Sequence, residues 1–79
     1  MFLPRLKIHR DYLDLLYWTA REIYPDWDEW WAGNGPDGMC WLIISKKEEE
    51  RRWGFHREQF TNVFDRQRMA ETIAGVIRP

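Results

Sequence analysis

A single cysteine, Cys40, in 79 residues excludes an internal disulfide and leaves no thiolate pair for a structural zinc. No charge of one sign dominates. Twelve Lys and Arg stand against thirteen Asp and Glu, so the basic balance that draws a protein to nucleic acid or a membrane surface is missing. No apolar run approaches membrane-spanning length. The first ten residues, MFLPRLKIHR, are too short and too charged for a signal peptide. A cytoplasmic protein is therefore expected, and a lone thiol suits a reducing compartment. Short ligand pairs such as HxxxH or CxxC are absent, so no metal or other cofactor is expected. Asp26 and Asp28 begin like a calcium loop, but Trp30 and Trp31 stand where oxygen ligands and a tight glycine turn are needed. The glycine-rich stretch GNGPDG is followed by no Lys-Ser/Thr pair and leads into an apolar run, so it reads as a connecting turn and not a phosphate loop. There is no repeat, linker or low-complexity segment.

What the chain has in quantity is aromatic side chains: six Trp, three Tyr and four Phe. One domain of this length buries only about 60% of the surface it exposes when unfolded. Without disulfide or metal, large rings are the available substitute, so most of them must be core. The acids are unevenly placed. Between Arg21 and Lys46 there is no basic residue, while Glu22, Asp26, Asp28, Glu29 and Asp37 fall in that gap.

The patterning gives an α+β fold: an N-terminal helix, a short second helix, a two- to three-stranded antiparallel sheet and a C-terminal helix. Residues 5–9, RLKIH, alternate as a short edge strand would. Asp11 then caps a helix over 12–24 whose apolar face holds Leu13, Leu16, Tyr17, Ala20 and Tyr24, widened by Leu15, Trp18 and Ile23. Pro25 ends that helix and opens a second, PDWDEWWA, with acids near its start and Trp27, Trp30 and Trp31 on one face. A turn over 33–38 precedes MCWLII, a short buried strand. Residues 45–51 form a hairpin tip. The competing reading is a two-turn helix, with Ser45 and Glu48 as a capping box. A strand over 51–57 follows, and 59–63, QFTNV, supplies a third. Asp65 caps a final helix that turns Met69, Ile73, Val76 and Ile77 to the core. Trp41 and Trp53, both in the hairpin, are expected to be structural.

Three constellations could carry function. Cys40 and His56 could meet across the hairpin as an imidazole-activated thiol, but no third orienting group is evident. A Cys between Met39 and Trp41 reads instead as a small buried hydrophobe, so no enzyme activity is expected. Residues 51–57, RRWGFHR, interleave Arg51, Arg52 and Arg57 with Trp53 and Phe55, the types that stack bases and neutralise phosphates. Glu48, Glu49, Glu50 and Glu58 flank that stretch and lower its potential. The strongest candidate is acidic and aromatic: Asp26, Trp27, Asp28, Glu29, Trp30 and Trp31, with Asp37 beyond the turn. Tryptophan dominates binding energy at interfaces, and carboxylates beside rings suit Arg or Lys on a partner. Two of the three tryptophans are expected in the core and one at the surface.

The reading that follows is a small non-enzymatic binding protein, an inhibitor or adaptor. Its acid-rich stretch 22–37 would occupy a basic surface on a larger protein, one that can itself handle nucleic acid. In size and character, though in no motif, the chain is similar to short phage-encoded inhibitors, anti-CRISPR proteins among them. That similarity implies a single domain without catalytic apparatus that blocks a host machine by steric or charge mimicry, and it carries over no residue. The alternative is a nucleic-acid-binding accessory domain that uses the 51–57 strand.

Overall fold

The computed structural model describes residues 4–60 and 66–79, with side chains from residue 12 onward. Helix α1 (Pro4–Ile23) leads into strands β1 (Glu29–Asn34), β2 (Met39–Lys46) and β3 (Glu49–His56). A single 3-10 turn (Arg57–Phe60) and helix α2 (Arg66–Ile77) follow. The fold is α+β, with an antiparallel sheet in the order β1-β2-β3.

Two expectations about the first half are corrected. Residues 5–9 belong to α1 and are not extended, and Asp11 lies inside the helix instead of capping it. A five-residue alternation is weak beside Pro4, which stands at the first helical position, where its fixed φ favours helix and its missing N–H costs nothing. The second helix over 25–32 does not form. Residues 25–28 turn, and β1 begins at Glu29. The three- and four-residue spacing of the tryptophans is coincidental. Two extended runs flank the turn Gly35–Gly38, and ladder pairing with MCWLII overrides the helical pattern.

β2 and β3 form the expected hairpin, with a tip reduced to Lys47 and Glu48, and no helix forms there. Lys47 takes φ 52°, the left-handed value a tight hairpin turn requires. Residues 57–60 are 3-10 and not strand, so the expected strand 59–63 does not begin at 59 and its remaining residues lie outside the described ones; the third strand of the described sheet is 29–34. Residues 61–65, including the expected cap Asp65, lie outside the described residues. In α2, Ile73, Ala74 and Ile77 are buried and Met69 packs against the core, but Val76 is exposed. Trp18, expected on the apolar face of α1, is also exposed.

The sheet has one covered face and one open face. Residues paired directly across an antiparallel ladder share a face, so Trp30, Ala32 and Asn34 of β1 lie with Ile44, Leu42 and Cys40 of β2 and with Arg51, Trp53 and Phe55 of β3. This face meets Leu15, Leu16 and Ala20 of α1 and Ile73 and Ile77 of α2 in one core. Leu16, Leu42 and Ile44 are wholly enclosed. The Tyr24 hydroxyl donates to the Ile77 carbonyl and so ties the end of α1 to the end of α2.

Candidate functional site

Glu29, Trp31 and Gly33 of β1, Met39, Trp41, Ile43 and Ser45 of β2, and Glu50, Arg52, Gly54 and His56 of β3 share the other face by the same register. None of them belongs to the core cluster. Trp31 is 52% exposed, and Met39, Trp41 and Ile43 are half-buried. Glycines floor the rings. A Cβ on Gly33 would lie 2.5 Å from the Trp31 ring, so that indole rests flat along its own strand. A Cβ on Gly54 would meet the Trp41 ring at 3.0 Å, and one on Gly35 would lie 2.9 Å from the other end of the same indole. Trp41 therefore spans from Gly35 to Gly54 across the sheet.

Carboxylates border these rings. Glu29 shares the face with Trp31 and accepts a hydrogen bond from the Ser45 hydroxyl at 3.2 Å. Glu50, on the same face, pairs with Arg52 at 2.5 Å. The Asp37 carboxylate comes within 3.1 Å of the point above Gly35 that Trp41 also approaches, and it accepts the Met39 N–H at 3.2 Å. The face thus reads as an apolar centre bordered by Glu29, Glu50 and Asp37 against one arginine.

The expected partner-binding residues divide between the two faces. Trp27 is buried, edge-on to Tyr24, with the cations of Lys46 and Arg51 each 5.3 Å from its ring. Trp30 points to the covered side and donates its indole N–H to the Tyr24 carbonyl at 3.1 Å. Trp31 alone of the three is exposed, which matches the expected division. Asp26 and Asp28 are exposed, but the hairpin brings Lys46 and Lys47 beside this stretch, and Asp28 accepts the Lys47 N–H at 3.2 Å. The basic gap in the sequence is therefore filled in space. The three carboxylates Asp28, Glu29 and Asp37 each hold a turn or a strand pairing.

The basic-aromatic strand does not assemble into one surface. Arg51 lies on the covered side over Tyr24 and Trp27 and also pairs with Glu49, whereas Arg52 lies on the open side. Phe55 is 4% exposed and belongs to the core, so it offers no ring to a base. Trp53 is half-buried and stacks on Tyr24 with centroids 5.9 Å apart. Arg57 lies near enough to the Cys40 thiol to favour its charged form.

Cys40 pairs with Phe55, not with His56, so thiol and imidazole sit on opposite faces. Burial pushes the Cys40 thiol up, against the opposing pull of Arg57, and keeps it protonated. Among the described residues no three of His, Cys, Asp and Glu gather closely enough to hold a metal ion. Two surface recesses, one beside Tyr24 and Arg51 and one between α1 and α2, contain neither His nor Cys. Among the described residues no helix is long and apolar enough to cross a membrane.

One cluster escaped the sequence reading. The Arg21 guanidinium lies 4.4 Å from the Trp30 ring, 5.3 Å from Trp18 and 5.7 Å from Tyr17, whose hydroxyl accepts its N–H at 3.1 Å. Tyr17, Trp18 and Arg21 follow the i, i+1, i+4 pattern of a helix edge, but Trp30 joins them only through the fold. No family model, curated protein or solved structure matches this chain.

Proposed function

We propose that this chain is a non-enzymatic binding protein, an inhibitor or adaptor, that docks the open face of its sheet on a basic surface of a larger protein. The supporting observation is Trp31. It is a tryptophan half exposed on the sheet face opposite α1 and α2, floored by Gly33 and bordered by Glu29. Large rings in the middle of a patch with polar groups at its margin are where interface binding energy concentrates. Glu29, Glu50 and Asp37 give that margin a negative sign, which favours Arg or Lys on the partner. The proposed contact has the acid-aromatic character of 22–37 but centres on Trp31 and the strand neighbours that share its face.

Affinity capture from a lysate of the source organism, with proteins identified by mass spectrometry, supplies the partner. The reading requires that Trp31→Ala lose the captured protein while keeping the wild-type melt, and that the affinity of the purified pair fall as salt rises. Capture that survives Trp31→Ala would remove the open face from the interface. The nucleic-acid alternative has less support, because Phe55 is enclosed and Arg51 and Arg52 point apart. Salt-sensitive binding of single-stranded oligonucleotide, lost in Arg52→Ala, would restore it.

A further inference from the structure

The sheet ends in two edges, β1 and β3, and they are guarded differently. β3 reads EERRWGFH, with four charged side chains in its first four positions. β1 reads EWWAGN, with one carboxylate at its start and neither Lys nor Pro. Charges and proline on an edge strand are the usual protection against pairing with another chain. β1 lacks that protection.

The backbone of β1 presents a usable edge. The Gly35 N–H donates to the Met39 carbonyl at 2.8 Å, which marks 35 and 39 as a hydrogen-bonded pair. Strict alternation makes 33 with 41 and 31 with 43 the next such pairs. Trp31 and Gly33 therefore spend their backbone groups on β2, and Trp30, Ala32 and Asn34 turn theirs outward. Among the described residues no backbone bond from another element reaches those three.

We propose that β1 pairs antiparallel with β1 of a second copy of this chain, about a two-fold axis at Ala32, to make a continuous six-stranded sheet. The sequence of the strand is complementary to itself in that register. Ala32 meets its own counterpart, Trp30 meets Asn34, and all three outward-facing residues are paired. A shift of two residues either way leaves an outward-facing residue of the strand without a partner in β1. Between these pairs, on the open face, the large Trp31 stands opposite the small Gly33. The Trp31 ring lies along its own strand and does not block the edge. Glu29 falls opposite Gly35, so no like charges oppose each other. The pairing would also join the open faces of two copies, with Trp31 and Trp41 of each on one surface, but it stands or falls independently of any other partner.

Analytical ultracentrifugation of the full chain across a concentration series reads the assembly, and amide hydrogen exchange on the same samples reads the contact. Dimer formation should slow exchange at Trp30, Ala32 and Asn34 and leave Trp31 and Gly33, already bonded to β2, unchanged. Ala32→Pro deletes an outward donor on each copy without touching the β2 ladder and should raise the dissociation constant about tenfold or more. If that variant does not fold, Trp31→Lys places a guarding charge on an exposed position and should have the same direction of effect. A chain that stays monomeric at every concentration overturns the pairing. So does a dimer in which the amides of Trp30, Ala32 and Asn34 exchange as fast as in the monomer, or a monomer in which they slow only when a different protein is added.

Discussion

Trp30 and Trp31 are adjacent, identical in chemistry and opposite in fate. Trp30 faces the helices, gives its indole N–H to the Tyr24 carbonyl and lies under the Arg21 guanidinium. Trp31, one residue on, lies on the face that neither α1 nor α2 closes and stays half exposed. The strand period of two makes that division unavoidable, because successive side chains leave a strand on opposite sides. Ring content alone therefore cannot separate core from contact surface in this chain. The deciding quantity is which face α1 and α2 close, and they close the face of Cys40, Leu42 and Ile44. Stability should therefore follow the covered face and binding the open one.

The largest effect is expected at Leu42, which is fully enclosed. Leu42→Ala should lower stability by about 2–5 kcal/mol, through lost transfer energy and a residual cavity. In a domain with about 5–15 kcal/mol in total, such a loss is plain in a thermal or denaturant melt. A variant that melts like the wild type would mean that the helices do not close this face. A smaller loss, about 1–3 kcal/mol, is expected for Tyr24→Phe, which leaves the buried Ile77 carbonyl without its donor. Hydrogen exchange should then quicken in the last turn of α2 before anywhere else on the covered side.

Cys40 tests the same face chemically. Its folded pKa is raised, so the neutral thiol is favoured in the native state. The contribution to stability is fully present below the ordinary thiol value of about 8.5 and is lost as pH rises from there through the folded value. Denaturant midpoints should accordingly fall between neutral and strongly alkaline pH, and less steeply in Cys40→Ala. Labelling by a thiol reagent at neutral pH should track global opening. Rapid labelling under native conditions would place the thiol at the surface.

How much of this division was legible before the fold was known depends on the element. MCWLII was readable as a strand because a continuous apolar run between a glycine turn and a charged turn has few other uses. The final helix was readable from Ile73 and Ile77, although Val76 shows that one apolar residue at helical spacing need not be covered. The stretch 25–32 misled because Asp26, Asp28 and Glu29 favour a helix start as readily as a turn, and because the tryptophan spacing fits a helix. The correcting signal was the GPDG turn, which asks for a strand before it as well as after it. Trp41, expected to be structural, lies half-buried on the open face, packed over Gly35 and Gly54. Its position follows from register with Gly33 and Gly54, and register depends on partners that local sequence does not name. The Tyr17–Trp18–Arg21–Trp30 cluster was invisible for the same reason.

On the open face the expected stability effects are small and the binding effects are not. Trp31→Ala should change stability by about 0.5 kcal/mol or less, as exposed substitutions usually do. Its loss from an interface should cost about 2 kcal/mol or more in affinity, the range of a central aromatic anchor. A large stability loss with unchanged binding would reverse the assignment of the two faces.

The smallest effect is expected at Glu29, and it separates the two uses of a carboxylate beside a ring. Its hydrogen bond to the Ser45 hydroxyl is exposed, and Glu29→Gln keeps an oxygen able to accept it. Stability should therefore move by about 0.5 kcal/mol at most. If the carboxylate also meets a basic partner, the same change should slow association at low salt and matter less as salt rises, with dissociation nearly unaltered. Asp28→Asn is the internal comparison. Asp28 also holds a turn, through the Lys47 N–H, but it lies before the strand and off the Trp31 side of the sheet, in the stretch where Lys46 stands over the Trp27 ring. It should lose a similar amount of stability and leave the association rate alone. Equal kinetic effects from the two substitutions would mean that the partner senses the overall charge of the chain. An effect from Glu29 alone would place the contact on the Trp31 side of the sheet.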